Sequence, residues 1–125
     1  MKRMFQNAES FDQDIGGWDT SNVSVMRLMF TDATSFNQDI SSWDIRNVKD
    51  LYGMFYGATS FNQDISSWDT SNIEGMGLMF QDAESFNQDL SSWCVETIPD
   101  KPNNVDSNAG FEGVSAKQPN WGESC

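Results

Sequence analysis

The sequence predicts an α/β solenoid, in which short parallel strands and short helices alternate and each coil is one repeat. The repeat itself is the first observation: the segment SFNQDISSWD stands identically at 35–44 and 60–69, and tryptophan recurs every 25 residues. The second observation is the apolar spacing inside each repeat, which is helical in one half and compatible with a strand in the other. A unit this short cannot hold itself in water and must pack against its neighbours.

About four repeats of 25 residues fill residues 1–98, and the first of them is incomplete. Phenylalanine and a Met-Phe pair recur with the same period as tryptophan. Residues 99–125 break the period and are rich in proline, asparagine and glycine. We therefore expect a repeat solenoid over 1–98 and an irregular C-terminal cap over 99–125.

A short helix is predicted in the Met-Phe half of each repeat. Val23, Met26, Met29 and Phe30 follow the spacing i, i+3, i+6, i+7 of a helical stripe. Oxygen-bearing side chains just before it offer N-caps. The helix is expected to end at a slot that holds only residue types tolerant of positive φ. That slot is occupied in turn by Asn7, Asp32, Gly57 and Asp82.

A short parallel strand is predicted in the other half, from Trp43 to Arg46 in the second repeat. A turn just before the strand places Trp43 and Ile45 inward and leaves Asp44 and Arg46 outward. Equivalent strands would stack into a parallel sheet. The recurring tryptophans are therefore expected in the core. The alternative is that they form an exposed platform on which sugar rings stack.

The charge excludes some partners. Nineteen acidic residues against seven basic ones give a net charge of −12, which would repel nucleic acid and anionic membrane surfaces. The chain has no histidine, so Ser-His and Cys-His catalysis and His-ligated metals are excluded. No apolar run approaches about 18 residues, so we expect no membrane insertion.

The cysteines point to a cap at one end only. Cys94 takes a slot that holds aspartate in the earlier repeats, and the other cysteine is the terminal Cys125. We predict a disulfide between them that clamps the tail over the last repeat, against the alternative of two unrelated thiols. A disulfide would favour an oxidising compartment. At the other end Met1, Met4 and Phe5 form an uncapped apolar edge, through which the chain could self-associate.

Two columns of aspartate run along the repeats. The first is Asp14, Asp39, Asp64 and Asp89, and the second is Asp19, Asp44 and Asp69. Stacked carboxylates about 5 Å apart repel by roughly 3 kcal/mol per pair, so something must offset the charge. Either the first-column carboxylates accept backbone N–H bonds in the turn of the FNQD segment, or the aspartates bind Ca²⁺. No other cofactor is indicated.

Asparagine and the outward-facing polar residues suggest further roles. Asn22, Asn47 and Asn72 are expected to form a buried structural ladder between coils, or to cap helices. The outward strip of the strand half is the candidate binding face, since stacked repeats present such files on a rigid backbone. Its residues are Asp19, Ser42, Asp44, Arg46, Ser67, Asp69 and Ser71. An ordinary solvated face would have the same sequence.

The unit M-F-x-x-A-x-S-F-N-Q-D-I-S-S-W-D-T-S-N-V-x-x-M resembles a known repeat. It is similar to the tandem repeat of about 26 residues in bacterial surface proteins and lipoproteins, which is related to BspA-like leucine-rich repeats. The resemblance implies a leucine-rich-repeat-like fold, an extracellular or cell-surface location, and adhesion without a defined biochemical activity. The chain shows no export signal and begins inside a repeat, so we expect it to be the C-terminal end of a longer array, or a segment cut from such an array.

The predicted function is a non-catalytic surface or secreted module that recognises a protein or a glycan. A basic partner would fit the charge. The alternative is a calcium- or carbohydrate-binding module that uses the aspartate columns. An enzyme is not expected, because the acids recur identically in each repeat whereas a catalytic carboxylate pair needs an asymmetric site.

Overall fold

The computed structural model describes residues 1–123. Within these residues the predicted α/β solenoid of alternating strands and helices is wrong, because the chain forms no α-helix there. The strands are β1 (Cys94–Val95) and β2 (Asn120–Trp121), and a 3-10 helix spans Ser115–Lys117. β1 and β2 pair in parallel, with Cys94 opposite Asn120 and Val95 opposite Trp121.

Each repeat is instead a succession of tight turns that lies flat against the next repeat. Its backbone N–H groups alternate between two kinds of acceptor. Met29 N–H donates three residues back to Met26 O at 3.2 Å, whereas Phe30 N–H donates across to Met54 O in the next repeat at 2.9 Å. The bonds to residues four positions back that define an α-helix are replaced by these two sets. The repeats therefore hold one another together, as the sequence required, without helices.

The turns bend at residues with positive φ, which explains why no helix forms. The predicted positive φ is confirmed at Asn7, Asp32, Gly57 and Asp82, with values of 61°, 56°, 68° and 60°. These residues belong to turns rather than to helix ends. A second slot, four residues earlier, also has positive φ, as at Leu28 with 58° and Gly53 with 60°. Two left-handed residues so close together are incompatible with a helix.

Side chains replace the backbone ladder where the strands were predicted. The indole N–H of Trp43 donates to Ile15 O at 3.0 Å, and the amide of Asn47 donates to Ser21 O at 2.7 Å. Outside β1 and β2, regular pairing along the described chain is limited to isolated parallel bridges of Val25 with Asp50 and of Asp50 with Gly75. A strand forms at the predicted position in the last repeat, where the tail supplies its partner.

Two columns of phenylalanine form the centre of the core. One column passes through Phe30 and Phe55, whose ring centroids lie 5.7 Å apart, and the other passes through Phe36 and Phe61 at 5.9 Å. The two columns touch within each repeat, as in the 4.2 Å stack of Phe30 on Phe36. Stacked aromatic pairs stabilise the fold beyond the contribution of the apolar area that they bury. Buried methionine, isoleucine and tryptophan surround them.

The tail covers the C-terminal end of this stack. Phe80 N–H donates to Val105 O at 2.8 Å, and Asp82 N–H donates to Ser107 O at 2.9 Å, as each repeat does to the next. Phe111 is buried and packs edge-on against Phe80, with centroids 5.5 Å apart. Val105 and Ala109 are also buried, whereas Trp121 is partly buried and Val114 is exposed.

Candidate binding face

Tight turns hold the carboxylates of both aspartate columns. In the first column each carboxylate accepts the backbone N–H two residues ahead, as from Ser41 to Asp39 and from Ser66 to Asp64, both at 2.9 Å. The second column repeats the geometry, with Ser71 N–H donating to Asp69 at 3.1 Å. The turn explanation is therefore confirmed for the first column, for which it was predicted, and the same turn also holds the second column. It fixes the direction of each carboxylate and offsets part of the repulsion along the column.

Hydrogen bonds keep these carboxylates ionised. The Ser21 hydroxyl, followed by its backbone N–H, lowers the pKa of Asp19, and Ser71 lowers the pKa of Asp69 in the same way. In the middle repeat, Arg46 lowers the pKa of Asp44 to about 2, chiefly through its side-chain bonds. The guanidinium contacts both carboxylate oxygens, at 3.0 and 2.7 Å. Repulsion by Asp44, the neighbouring carboxylate of the same column, acts in the opposite direction on Asp19 and Asp69 but is the weaker effect.

The predicted face is exposed, and its side chains bond mainly to their own turns. The seven residues Asp19, Ser42, Asp44, Arg46, Ser67, Asp69 and Ser71 are all exposed or half-buried. The Ser42 hydroxyl donates to Gly16 O in the preceding repeat at 2.9 Å. Arg46 is the one cation among the seven residues of the predicted face, and its bidentate bond to Asp44 already engages it. The face thus has regular acidic groups with free lone pairs.

Two shallow grooves lie between the first-column aspartates of successive repeats. One, of about 240 Å³, is lined by Asp39, Asp64 and the serine and glutamine side chains beside them. The next, of about 190 Å³, is its equivalent one repeat later, between Asp64 and Asp89. Pockets for small molecules are usually larger and mostly apolar. Grooves this small and polar favour contact with an extended partner.

The asparagine ladder that was predicted lies on the surface. The amides of Asn47 and Asn72 each donate to a backbone carbonyl of the preceding repeat at 2.7 Å. Asn22, Asn47 and Asn72 are nevertheless exposed, so the expectation of a buried ladder is wrong. With no helix in these repeats, they are not helix caps either.

A second ladder of side-chain hydrogen bonds between repeats was not predicted from the sequence. Asn62 N–H donates to the side-chain oxygen of Asn37 at 2.9 Å, and Asn87 N–H donates to that of Asn62 at the same distance. The glutamine beside each asparagine donates to the same oxygen, as Gln63 does at 3.0 Å. The Lys117 ammonium ends the ladder on Asn87 at 2.9 Å. Its sequence signal was the Asn-Gln pair before Asp39, Asp64 and Asp89, with Asp12-Gln13 in the first repeat.

The predicted disulfide partner Cys125 lies outside the described residues. Cys94 is half-buried at the start of β1, where its Sγ lies 3.8 Å from the carbonyl oxygen of Glu123. The disulfide between Cys94 and Cys125 therefore stays a prediction.

Residues 1–123 contain no group of three or more histidine, cysteine, aspartate or glutamate side chains arranged to hold a metal ion. They also include no helix long and apolar enough to span a bilayer.

Comparison with known proteins identifies one family. A family model described as "Mycoplasma protein of unknown function, DUF285" matches residues 1–118. No curated protein and no solved structure matches the sequence significantly.

Proposed function

The chain belongs to the DUF285 family of Mycoplasma proteins of unknown function, and on that premise we propose that it is a non-catalytic recognition module. It is displayed at the cell surface or secreted, and it binds a protein or a glycan through the face that contains Asp19, Asp44 and Asp69. The repeat sequence resembles that of BspA-like surface proteins, and this resemblance supports an extracellular location. The resemblance is one of repeat sequence and does not extend to a leucine-rich-repeat fold.

The arrangement of Asp19, Asp44 and Asp69 is the observation that carries the proposal. Each carboxylate lies at the same position of successive repeats and is held by the N–H two residues ahead. A ligand therefore meets charges whose spacing and direction are already fixed, so little entropy is lost on binding. An extended partner with cationic groups along its length matches this row best.

A basic protein segment is the partner that the charge favours. The net charge of −12 attracts cations over the whole surface, and the lowered pKa values keep the face charged in mildly acidic conditions. A glycan remains the second candidate because the grooves beside the first column are lined with serine, glutamine and aspartate. The repulsion between stacked carboxylates was the main argument for a bound calcium ion. That argument is weaker now, since turn hydrogen bonds already offset part of the repulsion.

Titration with a labelled decalysine peptide tests the proposal. The triple variant Asp19→Asn, Asp44→Asn, Asp69→Asn keeps an acceptor oxygen for each turn but removes three charges from the face. We expect its Kd for decalysine to rise about tenfold in fluorescence anisotropy at low salt, because the fixed charges of the site are gone. Added salt should weaken the binding of the unmodified chain.

The control removes the same charge from elsewhere. Glu9→Gln, Glu84→Gln, Asp100→Asn changes three exposed acids outside the face. Its Kd should stay within about twofold of the unmodified value if the face is a site. Equal weakening in both triple variants would mean that only net charge attracts the peptide. A parallel titration with neutral oligosaccharides decides the glycan alternative.

A further inference from the structure

The N-terminal end of the stack has backbone acceptors without partners. In each later repeat three alternate carbonyls accept N–H groups from the repeat before, as Arg27 O and Met29 O accept from Arg3 and Phe5 at 3.0 and 2.9 Å. The equivalent carbonyls of the first repeat belong to Lys2, Met4 and Gln6. Within the described chain, these three oxygens accept no hydrogen bond.

The same end has side-chain donors without acceptors. In the second repeat Gln38, Trp43 and Asn47 donate to the first repeat, at 3.0, 3.0 and 2.7 Å respectively. Their equivalents are Gln13, Trp18 and Asn22. Among the hydrogen bonds of residues 1–123, none is donated by these three side chains.

The apolar groups at this end are uncovered as well. Met4 is 50% exposed and Trp18 is 40% exposed, whereas Met29 and Trp43, in the same slots one repeat later, are 0% and 3% exposed. The prediction that the four recurring tryptophans are buried is thus wrong for Trp18. Unmet donors, unmet acceptors and apolar area together form one half of the interface that joins consecutive repeats.

We infer that the N-terminal end is a docking face for one further repeat coil of the same consensus, bound in the register that joins consecutive repeats. The N–H groups that pair with the three carbonyls come from the opposite side of a repeat. A second copy of this chain offers that side only beneath residues 99–123 of its tail, where Val105 and Ser107 already accept those N–H groups. Its own N-terminal end offers the same carbonyl acceptors again. A repeat coil therefore fits the face better than a second copy does.

Joining a copy of residues 51–75 directly before Met1 tests the inference. The copy ends at Gly75, which precedes Met76 in the chain, so Met1 keeps its natural register. We expect the thermal midpoint to rise by at least about 4 °C. The backbone amides of Asp12 and Ser24, which donate no hydrogen bond here, should exchange at least about tenfold more slowly.

The control is the same insertion in scrambled order, which cannot continue the stack. It should leave the midpoint and both exchange rates unchanged. If the ordered copy behaved like the scrambled one, the docking face would be refuted. Sedimentation of the unmodified chain tests the alternative of a second copy. A dimer that forms with rising concentration and slows amide exchange at Asp12 and Ser24 would assign the face to a second copy and overturn the inference.

Discussion

A single tryptophan in each later repeat both fills the core and joins two repeats. Trp68 is buried, and its indole N–H donates to the carbonyl of Ile40, 28 residues earlier, at 3.1 Å. The same oxygen accepts the backbone N–H of Trp43, so one carbonyl closes a turn and links the next repeat. The burial of Trp43, Trp68 and Trp93 was predicted correctly from their spacing, but the indole bonds were not.

Replacing Trp68 by alanine should lower the free energy of unfolding by about 3–5 kcal/mol, because it leaves a large cavity between two repeats. Urea denaturation measures the loss. Trp18→Ala is the matched control, since Trp18 occupies the same slot but is 40% exposed. We expect that control to cost about 1.5 kcal/mol or less. Similar losses for the two variants would contradict the difference in packing.

At the scale of the turn, a period of three was misread as a helix. Val23, Met26 and Met29 point inward because each successive tight turn advances the chain by about three residues, and the same spacing suits a helical stripe. Gly53 was the only sequence signal for the second positive-φ slot, because leucine and arginine occupy it in the other repeats. Tertiary packing holds Leu28 in a conformation that its own preference opposes, so its sequence could not reveal the turn.

Gly57→Ala tests the first positive-φ slot. A Cβ at Gly57, where φ is +68°, would clash with a carboxylate oxygen of Asp32 in the preceding repeat. We expect a loss of about 1–3 kcal/mol in the free energy of unfolding, from the strained backbone and the clash. Gly17→Ala is the control, because a Cβ there meets nothing within 4 Å. It should change the stability by about 0.5 kcal/mol or less, and an equal loss in both variants would contradict the strain.

The interactions between repeats were partly predictable. Repetition alone established that neighbouring repeats must pack together, and the charge arithmetic led to the turn bonds of the aspartates. The strand prediction was wrong for most repeats because side-chain donors bond to the backbone of the neighbouring repeat in place of a sheet ladder. The indole of Trp43 and the amide of Asn47 are examples. The second ladder through Asn37 was missed because an asparagine that bonds across repeats has the same sequence signal as one that closes a local turn.

At the scale of the whole molecule, the two ends of the stack differ. At the C-terminal end, Val105 O accepts the N–H of Phe80, so Asp106 takes the register position of the next phenylalanine. Asp106 is buried, and it accepts bonds from Lys101 at 2.8 Å and from Gln118 at 3.0 Å. A paired, buried carboxylate in place of a ring ends the aromatic column and gives no surface for another repeat. At the N-terminal end the column remains open.

The lowered pKa values of the aspartates predict how the stability of the whole stack depends on pH. Side chains two residues ahead, followed by their backbone N–H groups, lower the pKa of Asp19, Asp39, Asp44, Asp64, Asp69 and Asp89. A carboxylate whose pKa is lower in the folded state stabilises that state only while it is ionised. Its contribution is present above the ordinary value of 3.8 and is lost as the pH falls through the folded value, about 2 for Asp44.

We therefore expect the thermal midpoint to fall as the pH is lowered from about 4 to about 2, followed by circular dichroism. Neutralising the charge of −12 acts in the opposite direction, because it relieves repulsion across the stack. Asp44→Asn separates the two effects, since it keeps a turn acceptor but loses the ion pair with Arg46. This variant should show a smaller fall than the unmodified chain. A midpoint that stays level or rises below pH 4 would mean that the relief of charge repulsion outweighs the stabilisation lost when the six turn carboxylates are protonated.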